Sequence, residues 1–89
     1  MPVFMVEREF ADRLEAAPGA FDDVIRVNDE VGVRWLSSFL SADKRKTFCL
    51  YEADDVEAIR TAAVRAGIPA SAIMELAGTI NPDGTFAPM

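Results

Sequence analysis

Eighty-nine residues make one small domain, and 51% apolar content supplies the core material that a disordered chain lacks. A formal net charge of −6 argues against nucleic acid as a partner, because phosphate binding needs clustered Lys and Arg. No apolar run is long enough to span a bilayer, the start "MPVFMVERE" lacks the basic-then-apolar order of a secretory signal, and a single cysteine forms no internal disulfide, so no membrane partner and a cytoplasmic location are expected.

In chain order, "VFMVERE" (Val3 to Glu9) has the β-branched and apolar content of a strand. "FADRLEAAPGA" breaks the pattern at Pro18-Gly19. From Phe21 the spacing becomes helical, with Phe21, Val24, Ile25 and Val31 on one stripe and Asp22 and Asp23 in the first turn, where the helix dipole favours negative charge. Gly32 is the expected stop. Val33 to Ser41 alternates as a second strand, "ADKR" connects, and "KTFCLYEA" returns as the third strand of a hairpin. The basic run Lys44-Arg45-Lys46 is read as a solvated hairpin tip. Asp54 and Glu57 have the spacing of a capping box opening a second helix with the stripe Val56, Ile59, Ala63 and Ala66, ended by Gly67 and Pro69. Ala72 to Ile80 reads as the last strand, "NPDGT" as a turn, and residues 81–89 as a tail beyond a single domain of residues 1–80.

The order strand–helix–strand–strand–helix–strand is that of the α+β ferredoxin-like fold, βαββαβ, with a four-stranded antiparallel sheet carrying both helices on one face. The other face would expose an apolar patch unless covered, most simply by a second copy, giving a homodimer of the α+β-barrel type with a chamber between the two sheets. The period of two then assigns residues to faces. Phe4, Val6, Leu36, Leu40, Phe48, Leu50, Met74 and Leu76 suit the helices. Glu7, Trp35, Ser37, Phe39, Cys49, Tyr51 and Glu75 are left for the chamber, with Trp35 as an anchor of the dimer. This pairing needs a one-residue bulge near Asp43 to Arg45. Arg8 and Arg34 are the expected ion-pair partners of the carboxylates, and with no histidine in the chain Cys49 has no imidazole base beside it.

The segments "FMVERE", "GVRWLSSFLSADKRKTFCLYEADD" and "EAIRTAAVRAGIPASAIMEL" together resemble a small bacterial nickel-binding family of formerly unknown function. The resemblance runs from Pro2 to about Leu76 and implies a ferredoxin-like dimer with a divalent metal such as nickel. In that family's pattern a histidine commonly follows "W-L", where this chain has Ser37, and another often lies near Ala62; here the histidine count is zero. Imidazole suits Ni²⁺ and carboxylates alone hold it weakly, which leaves Glu7, Cys49 and Glu75 as the expected metal ligands. The expected function is therefore a binding protein for a small molecule or a nickel-like ion. A cofactor-independent dimeric α+β-barrel enzyme, of oxygenase or isomerase type with Glu7 or Glu75 as base, and a pure self-association module are the alternatives; catalytic residues stay unassigned.

Overall fold

In the computed structural model, which describes residues 1–15 and 17–89, the elements run β1 (Val3–Glu9), α1 (Asp22–Val31), β2 (Arg34–Leu40), β3 (Lys46–Glu52), α2 (Val56–Ala66), β4 (Ala72–Leu76), β5 (Gly78–Ile80) and β6 (Phe86–Pro88). Strands β1 to β4 form one antiparallel sheet in the order β2-β3-β1-β4, the ferredoxin-like α+β arrangement expected from the sequence. No described helix is long and apolar enough to cross a membrane.

The helix ends follow local chemistry. Gly32 takes a left-handed φ of 75°, and its N–H reaches back to the carbonyls of Asn28 and Asp29, which satisfies the last turn of α1. Helix α2 is capped by Asp55, whose Oδ1 accepts from the Ala58 N–H at 2.9 Å. The sequence pattern placed this cap one residue earlier, at Asp54. The true cap is the residue whose extended backbone (φ −154°, ψ 172°) lets its carboxylate fold over the first turn.

The core lies between the sheet and the helices. Phe4 and Val6 of β1, Cys49 and Tyr51 of β3, Val27 of α1, and Ile59 and Ala62 of α2 form one buried cluster. Phe4 and Val6 thus face the helices as expected, but β3 is turned the other way. Phe4 lies opposite Tyr51, and Val6 opposite Cys49, so Cys49 and Tyr51 point to the helices while Phe48 and Leu50 occupy the open face. Both faces of β3 are apolar, so alternation alone cannot orient it. Pairing with β1 does: Cys49 and Tyr51 lie opposite Val6 and Phe4 and are buried with them against Ile59 and Ala62 of α2. Strand β4 is likewise reversed. Ile73 packs against the core and Glu75 lies opposite Phe4, whereas Met74 is on the open face and 66% exposed.

The irregularity in the β2–β3 pair is at Leu36, not in the turn. Trp35 pairs with Tyr51 and Ser37 with Leu50, with Leu36 extra between them. This bulge turns Trp35, Ser38 and Leu40 to the helix side, and Ser37 and Phe39 to the open side. The connection itself is closed by Ser41 and Lys46 backbone bonding at 2.9 Å, with Lys44 at φ 61°. Asp43 organises it by accepting from Ser41 Oγ at 2.6 Å and from the Arg45 N–H at 3.0 Å. Those hydrogen bonds hold the exposed Asp43 carboxyl below its usual pKa, the Ser41 bond contributing most.

The last strand expected over Ala72 to Ile80 ends at Leu76, and Gly78–Ile80 instead pairs with Phe86–Pro88 as a separate hairpin. Gly78 is required there: a Cβ would lie 2.2 Å from the Ala87 carbonyl oxygen and 2.8 Å from the Phe86 ring. The segment read as a tail therefore carries a strand of its own.

Candidate functional site

A cavity of roughly 200 Å³ lies on the helix side of the sheet, within one protomer. Its floor is Arg8 of β1 with Thr47, Cys49 and Tyr51 of β3, and its side is Trp35, Ser38 and Leu40 of β2. Phe10 and Leu14 from the β1–α1 connection, Phe21 and Val24 at the start of α1, and Ile68 beyond α2 complete the wall. The aromatic members are locked against one another. Phe21 meets Trp35 edge-on, with ring centroids 5.5 Å apart at 85°, and Trp35 lies 6.4 Å from Tyr51. The Trp35 indole N–H donates to Ser38 Oγ at 2.8 Å, which fixes the ring's tilt.

Arg8 is the unusual member. The alternation that sends Phe4 and Val6 inward sends Arg8 inward too, and it is only 4% exposed. Its Nη1 donates to the Pro69 carbonyl at 2.5 Å and its Nη2 to Tyr51 Oη at 3.2 Å, while its guanidinium carbon sits 5.6 Å from the centre of the Tyr51 ring. The Arg8 Nε–H is buried without an acceptor, and among the described residues no carboxylate lies within 4.0 Å of the guanidinium. The carboxylates expected to pair with Arg8 and Arg34 do not: Glu7 goes to Lys46 at 3.0 Å, Glu75 forms no ion pair among the described residues, and Arg34 pairs instead with Glu52 at 3.4 Å. Sequence reasoning missed Arg8 as a site residue, although its place in the Phe4–Val6–Arg8 series was a usable signal.

Burial pushes the Tyr51 phenol above its ordinary pKa of 10.0, with the adjacent Arg8 charge opposing that shift. The group is therefore a neutral O–H donor at physiological pH. Its folded pKa is raised, so its contribution to stability is complete below pH 10 and is lost as pH rises through the higher folded value. Absorbance at 295 nm should show the one tyrosine titrating above pH 10 in the folded chain and near 10 in urea; a folded midpoint below 10 would mean that the phenol is not enclosed.

The structure divides the residues expected to share one chamber. Trp35, Cys49 and Tyr51 meet at the helix-side cavity. Glu7, Ser37 and Phe39 belong to the open face, and Glu75 is exposed on the edge strand β4, on the helix side. Glu7 and Cys49 thus lie on opposite faces of the sheet, because they sit on adjacent strands at positions of opposite parity (Glu7 opposite Phe48, Cys49 opposite Val6). Among the described residues no three His, Cys, Asp or Glu side chains converge in a metal-ligand cluster. Glu7, Cys49 and Glu75 therefore do not fit a nickel centre within one protomer, and Cys49 is occupied as a small core residue whose thiol lies 3.5 Å from Thr47 Oγ1.

The chain is thus a ferredoxin-like α+β domain with a cavity between its sheet and first helix and an open second sheet face. It belongs to the family described as nickel responsive protein SCO4226-like, whose profile matches residues 4–76. The crystal structure of SCO4226 from Streptomyces coelicolor A3(2) superposes with a TM-score of 0.72 at 21% identity, covering 83% of this chain and 94% of that one. No curated protein sequence matches the chain. The matched region stops at the end of β4, so the β5–β6 hairpin lies outside it.

Proposed function

We propose that the chain is a homodimeric binding protein for a small organic molecule, held in the cavity beneath α1, with the open sheet face as the dimer surface. The observation that carries the ligand reading is the cavity itself. An apolar cavity of about 150 Å³ admits a benzene-sized molecule, so roughly 200 Å³ walled by Phe10, Phe21, Trp35 and Tyr51 suits a single ring with one substituent. Trp35, Cys49 and Tyr51 are its proposed contacts. Glu7, Ser37 and Phe39 are assigned to the interface, and Glu75 to the edge of β4.

The dimer reading rests on how the open face is arranged. Met5, Phe39, Phe48, Leu50 and Met74 form its apolar centre, bordered by the Lys46–Glu7–Glu9 ion pairs on one side and the Arg34–Glu52 pair on the other. An apolar centre inside a charged border is the anatomy of a protein interface.

The family's nickel response favours a divalent ion as the second reading. It calls for ligands from two copies, since the described residues of one protomer do not assemble them. The two readings separate in a thermal-shift series on tag-free protein. Benzene derivatives at about 100 times their Kd should add about 2.7 kcal/mol of stability, a rise of several degrees or more. Ni²⁺ alone should leave the transition unmoved. A rise with Ni²⁺ and none with any single-ring compound would replace the cavity reading with the metal one.

A further inference from the structure

We infer that the cavity selects a monoanionic ligand, a carboxylate on a single-ring or similarly compact apolar body, and that Arg8 is the residue that recognises the carboxylate. This deepens the small-molecule reading above and rests on it.

A guanidinium in a largely apolar cavity must be compensated, because an unpaired buried charge loses hydration worth several kcal/mol. Arg8 obtains partial compensation from the Pro69 carbonyl, the Tyr51 hydroxyl and the Tyr51 ring. None of these is an anion, and one of its donors, the Nε–H, is left with nothing to bind. Arg8 lines the cavity, is 4% exposed, and among the described residues has no carboxylate within 4.0 Å, so an anion entering the cavity would supply the compensation it lacks.

The chemistry of that acceptor follows from its surroundings. A carboxylate matches the planar fork of arginine and can accept two parallel N–H bonds. Tyr51 supplies a second donor: its oxygen already accepts from Arg8, its proton has only the weakly accepting Cys49 sulfur beside it, and burial keeps it protonated. Arg8 is the one charged side chain among the described residues that line the cavity; Arg45 nearby bonds the Ala11 carbonyl, and Lys46 is on the opposite face and committed to Glu7 and Glu9. The cavity thus presents one positive charge and suits one negative charge; a phosphate dianion would be under-compensated in a chain already at −6. The rest of the lining is mostly apolar, with Phe21, Val24 and Trp35 among it and Ser38 already bound to the Trp35 N–H, which suits an apolar body for the rest of the ligand.

The test compares benzoate with its neutral isostere benzamide, by calorimetric titration and by amide chemical shifts, on the wild-type chain and on R8Q and Y51F. Benzoate should bind wild type at least about tenfold tighter than benzamide, since a hydrogen bond to a charged group is worth 1.5–3 kcal/mol. R8Q should weaken benzoate at least about tenfold and leave benzamide within about twofold. Y51F keeps the shape of the wall and should weaken benzoate severalfold. Equal binding of benzoate and benzamide to wild type would overturn the assignment to Arg8 while leaving the small-molecule reading intact. Failure of both compounds, and of neutral rings such as toluene, would overturn that reading as well. If R8Q does not fold, the wild-type comparison together with Y51F decides the question: a wild type that ignores the ligand's charge, or a Y51F that binds benzoate as wild type does, refutes the proposal.

Discussion

Replacing Trp35 by alanine is expected to destabilise the protomer by about 3 kcal/mol, the cost of emptying an aromatic site that is partly rather than fully enclosed. Against the roughly 5–15 kcal/mol that holds a typical domain, this is a large loss. The ring sits between Phe21 and Tyr51 on the helix side, and its N–H is spent on Ser38. Urea unfolding monitored by circular dichroism should show the midpoint fall. Light scattering should still report a dimer wherever the variant is folded, since Trp35 does not reach the open face. A W35A protein that keeps its unfolding midpoint but dissociates would return Trp35 to the role expected from sequence, an anchor between two copies.

The double substitution F39E/M74E is expected to have the opposite signature. Phe39 and Met74 are 60% and 66% exposed in the protomer, on the two edge strands of the sheet. Substitutions at such positions change protomer stability by about 0.5 kcal/mol or less. In a face-to-face dimer the same changes place four added carboxylates in a desolvated interface, each without a partner. The mass from light scattering should therefore drop from dimer to monomer at micromolar concentration, with the circular-dichroism spectrum unchanged. A wild-type chain that is already monomeric at that concentration, or a variant that stays dimeric, would remove the open face from the account.

The sequence carried the fold more faithfully than the orientation of its strands. Element order, the Gly32 stop and the inward placement of Phe4 and Val6 are set by spacing and by backbone freedom, both local properties. The facing of β3 is not local. Phe48 and Leu50 are as apolar as Cys49 and Tyr51, so a period of two returns two equivalent answers, and the choice is made by pairing with β1, far along the chain. The bulge at Leu36 was equally hidden, since nothing in "RWLSS" distinguishes it from a regular strand. Those two features together place Trp35, Cys49 and Tyr51 at a cavity inside the protomer rather than on the sheet face expected to line an inter-sheet chamber, and separate them from Glu7. Arg8 was overlooked because a charged residue in "VERE" reads as surface, although its parity with Phe4 and Val6 had already placed it inside.

The central claim is that the binding chamber lies between sheet and helix within each protomer. Crystals soaked with an iodinated benzoate or benzamide, whichever binds more tightly in solution, locate the ring by iodine anomalous scattering. The account expects one iodine peak per protomer among Phe21, Trp35 and Tyr51. An iodine peak between two facing sheets, against Met5, Phe39 and Leu50, would contradict it.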